Sequence, residues 1–98
     1  MVSGTEFAAI ARALQAEAHR LGLTPPAFRG VYVARHDRAI KRWPDHPVVI
    51  VKLGRDAHAV AQDLVEGVLA ANHVDPDHPA TQSMRSSLWE AAGMAIVG

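Results

Sequence analysis

The densest group of side chains that could bind a metal ion or move a proton lies in residues 73–78, His-Val-Asp-Pro-Asp-His. Zinc binds such donors, but one short loop seldom wraps four ligands tetrahedrally around an ion, and no second cluster stands at a familiar spacing. The same residue types suit a helix start, with Asp75 or Asp77 as the cap and Pro76 and Pro79 stiffening the turn. We therefore expect a turn that holds no metal. A metal-dependent enzyme using residues 73–78 is the weaker alternative.

In two places a histidine and an aspartate are adjacent in the sequence, His36 with Asp37 and His46 with Asp45. A carboxylate can make an imidazole a stronger base, but neighbouring residues of a strand point to opposite faces. Turn and strand-end positions are therefore the plainer interpretation. The serines lack the Gly-x-Ser-x-Gly elbow of a covalent nucleophile, and no glycine-rich loop could cradle a phosphate. The sequence predicts no catalytic residue, no cofactor and a protein that is not an enzyme.

Charge is sorted along the chain although its total is zero. Residues 29–55 hold seven basic and two acidic side chains, a net charge of +5, whereas residues 56–98 hold one basic and six acidic, a net charge of −5. Such segregation steers partners or organises self-association. The candidate interaction residues are five cations of the basic segment, Arg38, Lys41, Arg42, Lys52 and Arg55.

Two binding functions compete for this basic segment. Its cations could contact phosphates while Trp43 or Tyr32 stacks on a base, as in a nucleic-acid-binding protein that uses hairpin 29–55. The neutral total and the acidic C-terminal half count against this alternative, because nucleic-acid modules usually carry a net positive charge. The preferred prediction is a small non-enzymatic interaction or regulatory module that acts as a homodimer, with a further protein partner possible.

The first predicted element is a helix, and the sequence carries a capping signal at each of its ends. Ser3 and Glu6 have the spacing of a capping box, and Gly22 suits the left-handed position just past a last turn. Between them, apolar residues recur at helical intervals on one face, at Phe7, Ile10, Leu14, Ala18 and Leu21. Residues 24–26, Thr-Pro-Pro, end the helix because consecutive prolines favour an extended path.

A basic β-hairpin is predicted next. Residues 31–33 and 39–43 have strand composition, residues 44–47 form a turn, and residues 48–53 are the clearest strand of the chain. The peptide bond between Trp43 and Pro44 is one to check for the cis isomer, although the trans isomer is favoured.

Folding about that turn sets Trp43 opposite Val48 and Lys41 opposite Ile50. A one-residue slip would exchange the two faces, so the sequence leaves the register open. Strand 48–53 is apolar on both faces up to Lys52 and should be covered on both. If it lies at a sheet edge, it would pair with a second copy or with an extended peptide. Burial under helices within one protomer is the equal alternative.

Two further helices are expected. Asp56 can cap the first of them, which is apolar around most of its circumference at Val60, Ala61, Leu64, Val65, Val68 and Leu69. We expect it to pack both on the sheet and on another helix or subunit, and Asn72 to end it. Pro79 suits the first turn of the last helix, one face of which carries Met84, Leu88, Ala91 and Ala95.

These elements predict one domain over residues 1–98, of class α+β. A small antiparallel hairpin or sheet is packed by three helices in the order α-β-β-α-α. Alanine makes up much of the 49% hydrophobic content, so the core is thin and oligomerisation is favoured. The chain has no cysteine, no signal-peptide pattern and no apolar run of about 20 residues that would span a membrane. The prediction is a cytoplasmic protein with no membrane contact.

A resemblance adds to this interpretation. Residues 48–55, Val-Val-Ile-Val-Lys-Leu-Gly-Arg, with Glu66-Gly67-Val68 and Ala71-Asn72, make about a third of the chain similar to small uncharacterised proteins of high-GC Gram-positive bacteria. The dominance of arginine over lysine fits a bacterial, high-GC origin. The resemblance implies no activity, cofactor or partner.

Overall fold

The computed structural model describes residues 2–32, 38–42 and 46–97, except for the side chains of Arg38 and Val97. Its elements, in chain order, are helix α1 (Gly4–Arg20), strands β1 (Ala27–Val31), β2 (Arg38–Arg42) and β3 (Pro47–Lys52), and helices α2 (Ala57–Ala71) and α3 (Pro79–Val97). The α+β class is confirmed. The predicted order lacked one strand, since the observed order is α-β-β-β-α-α. The Trp43–Pro44 bond lies outside the described residues, as do the side chains of His36, Asp37 and Asp45.

The three strands form a mixed sheet in the order β1-β3-β2. β2 runs antiparallel to β3, but β1 runs parallel to it, so the prediction of a purely antiparallel sheet was wrong. β3 lies between the two strands that precede it in sequence. β1 also starts earlier than its expected position at 31–33, directly after the extended Pro25-Pro26 segment. A hydrogen bond from the Leu53 amide to the Val31 carbonyl (2.7 Å) extends the β1–β3 pairing.

The hairpin register differs from the expected one by two residues. Lys41 lies opposite Val48, and Ala39 lies opposite Ile50. A two-residue shift keeps every side chain on its expected face, because side chains alternate with a period of two. β3 has neighbours along both of its edges, so the condition for pairing with a second copy or an extended peptide, a position at the sheet edge, is not met.

α1 begins and ends as its sequence predicts. The Ser3 hydroxyl accepts a hydrogen bond from the Glu6 amide (3.1 Å), and the Glu6 carboxylate accepts one from the Ser3 amide (3.2 Å), which completes the capping box. At the other end Gly22 has a φ of 80°, and the Leu23 amide donates to the Ala18 carbonyl (2.9 Å). This is the hydrogen bond that closes a helix ending at a left-handed glycine.

α2 is the central element of the core, as predicted. It packs against β2 and β3 on one side and contacts α1 and α3 as well. Gly67 lets it approach the sheet closely, because a Cβ built at this glycine would lie 2.5 Å from Cγ1 of Val49. α3 packs on α1 and α2 and buries Leu88 and Ala92 completely. Its buried stripe therefore passes through Ala92 rather than the expected Ala91.

The side chain of Asn72 joins the end of α2 to the segment that leads into β1. Its Oδ1 accepts a hydrogen bond from the Thr24 amide (2.7 Å), and its Nδ2 donates to the Thr24 carbonyl (3.0 Å) and to the Val68 carbonyl (2.9 Å). Asn72 ends α2 as expected, and it also fixes the chain just before the sheet.

Candidate interaction surface

The sheet is packed by helices on one face only, as far as the described residues extend. Along β3, Val49 and Val51 are completely buried, whereas Val48, Ile50 and Lys52 are half-buried. This alternation is typical of a sheet with one solvent-facing side. Among the described residues, the expectation that both faces of β3 would be covered is therefore not met, because α2 lies over the Val49 side.

The register defines the uncovered side, which we call the open sheet face. Its members come from all three strands: Ala27, Arg29 and Val31 of β1, Val48, Ile50 and Lys52 of β3, and Ala39 and Lys41 of β2. Ile50 is at its centre, paired with Arg29 on β1 and with Ala39 on β2. Five members are aliphatic, three are cationic and none is a carboxylate. The open sheet face is thus an aliphatic surface with a positive charge on each strand.

The five predicted interaction residues do not form one cluster. Lys41 and Lys52 belong to the open sheet face, while the neighbour of Lys41, Arg42, lies opposite Pro47 on the other side of the ladder. Arg38 opens β2 opposite Val51, and its side chain lies outside the described part. Arg55 follows the sheet and reaches α2. The charge pattern therefore identified the basic segment 29–55, but it did not show that Lys41 and Lys52 lie on the same side of the sheet.

Arg29 completes the basic character of the open sheet face, and the sequence interpretation did not select it as a site residue. It is exposed, in the middle of β1. The missing information was the position of β1, since residues 31–33 were expected to be the strand. Once β1 is paired with β3, alternation alone places Arg29 beside Ile50.

Arg55 and Arg85 form ion pairs within the protomer. Arg55 binds the carboxylate of Asp63 on α2, and its Nε is buried with no hydrogen-bond partner among the described residues. Arg85 of α3 binds Glu66 through two hydrogen bonds, of 2.7 and 3.3 Å, and the hydrogen bond to Glu66 raises the pKa of Arg85. The pair of Arg55 with Asp63 joins the basic segment to the acidic one, whereas Arg85 and Glu66 both belong to residues 56–98. Of the five candidate interaction residues, Arg55 therefore has a carboxylate partner on α2 of its own chain.

Arg42 contacts His73, one residue past the cap of α2. The guanidinium Nη2 of Arg42 lies against Nε2 of the His73 imidazole. His73 has a φ of 55°, in the left-handed region, where it directs the chain away from the helix. This contact joins the edge strand β2 to the helical layer.

The loop 73–78 is organised by its own hydrogen bonds. The Asp75 carboxylate accepts from the Asp77 amide (2.9 Å), and Nδ1 of His78 accepts from the Ala80 amide (3.1 Å). His78 therefore caps α3, and the prediction that Asp75 or Asp77 would do so was wrong. The buried hydroxyl of Thr81 donates to the Asp75 carbonyl. Across residues 2–32, 38–42 and 46–97, no group of three histidine or carboxylate side chains is arranged to hold a metal ion.

The nucleic-acid alternative relies on two aromatic side chains, Tyr32 and Trp43. Tyr32 is exposed, with 55% of its surface accessible, and it follows the last residue of β1. Trp43 lies outside the described residues. Over the described positions, the face therefore offers cations and aliphatic groups and no ring on which a base could stack.

Comparison of the chain with known protein families, curated proteins and solved structures finds no match. In the described part of the chain, none of the helices has the length and apolar character needed to cross a lipid bilayer.

Proposed function

We propose that this protein is a small non-enzymatic interaction module that binds another macromolecule through the open sheet face. One observation carries the proposal: Val48 and Ile50 of the central strand lie without helix cover in the described structure, while Val49 and Val51 beside them are completely buried. A contiguous aliphatic patch bordered by charged groups is typical of a binding surface. A bacterial, cytoplasmic setting, supported by composition alone, completes the proposal.

The homodimer expected from the thin core is the rival form of this function. If two copies met through the open sheet face, Arg29, Lys41 and Lys52 of each copy would enter one interface with no carboxylate from the described face to balance them. Like charges that are brought together in an interface oppose association. A different molecule is therefore the favoured partner.

Site-specific photo-crosslinking in cells tests the proposal. One variant carries a photoreactive p-benzoylphenylalanine at position 50, at the centre of the open sheet face. The matched control carries it at position 82, where Gln82 is exposed on α3, the helix that packs on α1 and α2. Irradiation of the native host should give a discrete cross-linked product from position 50 and none from position 82.

The mass of the cross-linked product distinguishes a homodimer from a complex with a different partner. A product at twice the mass of the chain would support the homodimer, and any other discrete mass would support a separate partner. No discrete product from position 50, or the same products from both positions, would mean that the open sheet face is a solvated surface and that the proposal is wrong.

A further inference from the structure

We infer that the partner of the open sheet face is an acidic protein segment, in which aliphatic side chains are flanked by carboxylates. The inference rests on the proposed function and adds the chemistry of the partner. The aliphatic members of the face would pack on aliphatic side chains, and its three cations would meet carboxylates.

The spacing of the cations around Ile50 supports this chemistry. Arg29 is the direct ladder neighbour of Ile50, at about 5 Å between strands. Lys52 is two residues along the same strand, at about 6.6 Å. Lys41 is a diagonal neighbour across the hairpin, at about 7–8 Å. A positive charge thus borders the aliphatic centre on every strand, within reach of carboxylates that flank one docked segment.

The side chains of these cations fit such an interface in a second way. Lysine and arginine lay their methylene groups along apolar surface while the charged end stays in water. Lys52 is half-buried, which fits this arrangement beside Ile50. A docked segment would therefore meet apolar surface at the centre and charge at the rim, the usual anatomy of a protein–protein interface.

The two competing occupants fit the face less well. A nucleic acid would supply the negative charge, but it would leave the aliphatic centre against sugars and phosphates, and the described face has no aromatic ring to stack on bases. A second copy would supply the aliphatic surface, but it would bring six cations together. An acidic aliphatic segment satisfies both features of the face.

The first experiment measures peptide binding by fluorescence anisotropy with the full chain. The probe is a fluorescein-labelled 16-residue peptide in which leucines recur at helical spacing and glutamates occupy the flanking positions. The comparison peptide has lysine in place of every glutamate, and a 16-nucleotide single-stranded DNA tests the nucleic-acid occupant. The acidic peptide should bind at least about tenfold more tightly than the basic peptide, because several charge pairs each contribute.

Two double variants locate that binding. Arg29→Gln with Lys41→Gln removes two exposed cations from the open sheet face. Arg12→Gln with Arg20→Gln removes two exposed cations from α1, of which Arg20 is paired with Glu17. It serves as the control because both double variants have the same net charge. The first should weaken binding of the acidic peptide about five- to tenfold, and the second should leave it within about twofold. Backbone amide shifts on peptide addition should concentrate in residues 27–31, 39–41 and 48–52.

Several results would overturn the inference. Equal affinity for the acidic and basic peptides would do so, as would an equal loss of peptide affinity in the two double variants. So would DNA that binds more tightly than the acidic peptide and loses its affinity when Arg29 and Lys41 are replaced. Dimerisation of the free chain that the same replacement abolishes would also overturn it. Failure of the acidic-partner inference can be distinguished from failure of the proposed function. If the cellular cross-link from position 50 persists unchanged when Arg29 and Lys41 are replaced by glutamine, the face binds a partner whose recognition is not acidic. If position 50 gives no cross-link at all, the proposed function itself fails.

Discussion

At the scale of single residues, replacing Gly67 by alanine, the residue with the highest helix propensity, should destabilise the protein. In an exposed helix, replacing glycine by alanine stabilises by up to about 1 kcal/mol. At position 67 the added methyl group would lie 2.5 Å from Cγ1 of the completely buried Val49, and a β-branched valine has little rotameric freedom to move away. We expect Gly67→Ala to lower the free energy of unfolding by about 1–3 kcal/mol, measured by urea denaturation.

Gly93 of α3 is the matched control. It also lies inside a helix, but a Cβ built there meets nothing within 4 Å. Gly93→Ala should therefore raise the free energy of unfolding by up to about 1 kcal/mol. If both variants shifted stability in the same direction, α2 would not approach the sheet as closely as the structure has it.

At the scale of elements, the local signals in the sequence were sufficient for the ends of α1 and α2 and insufficient for the sheet. The capping box at Ser3, the left-handed Gly22 and the cap at Asp56 each act within a few residues, so the chain itself specifies where α1 ends and α2 begins. Asp56 accepts a hydrogen bond from the Ala59 amide (2.9 Å), which lowers the pKa of its carboxyl group. These boundaries were predictable because their causes are local, whereas the cap of α3 is His78 instead of the expected Asp75 or Asp77.

The pairing of β1 with β3 has no comparable local cause. β1, Ala-Phe-Arg-Gly-Val, shows no clear alternation of apolar and polar residues, and its partner lies beyond the whole of β2. Gly30 carries part of the explanation, because a Cβ there would lie 2.4 Å from Cδ1 of Leu53, so the glycine leaves room for that side chain. Such a long-range fit is invisible in one sequence, and for that reason Arg29 was not identified as part of the site.

Asn72 tests whether α2 and the start of the sheet are stabilised as one unit. Its side chain makes hydrogen bonds to the backbone of Thr24 and Val68. Asn72→Ala removes all of them, and we expect the free energy of unfolding to fall by about 1–2 kcal/mol. Asn72→Asp keeps the acceptor for the Thr24 amide but has no N–H to donate, so amide hydrogen exchange should stay slower at Thr24 in this variant than in Asn72→Ala. Equal exchange in both variants would contradict this role.

At the scale of the whole molecule, the free protein should be stable with its open sheet face in water. Val48 and Val49 are neighbours on β3 that point to opposite faces, so the same substitution at each compares the two sides of the sheet. Val49→Thr places a hydroxyl group in the core against α2, and it should lower the free energy of unfolding by about 1–3 kcal/mol. Val48→Thr keeps a β-branched side chain on the open side and should cost less than about 0.5 kcal/mol.

Denaturation at several protein concentrations completes the comparison, because a dimer gives a midpoint that rises with concentration. For a protomer that is complete by itself, both variants and the parent chain should unfold at concentration-independent midpoints, with only Val49→Thr shifted to lower urea. Equal losses at the two positions, with midpoints that rise with concentration, would place a second copy over Val48. The open sheet face would then be a subunit interface, and the cations at Arg29, Lys41 and Lys52 would be held within a dimer instead of meeting an acidic partner.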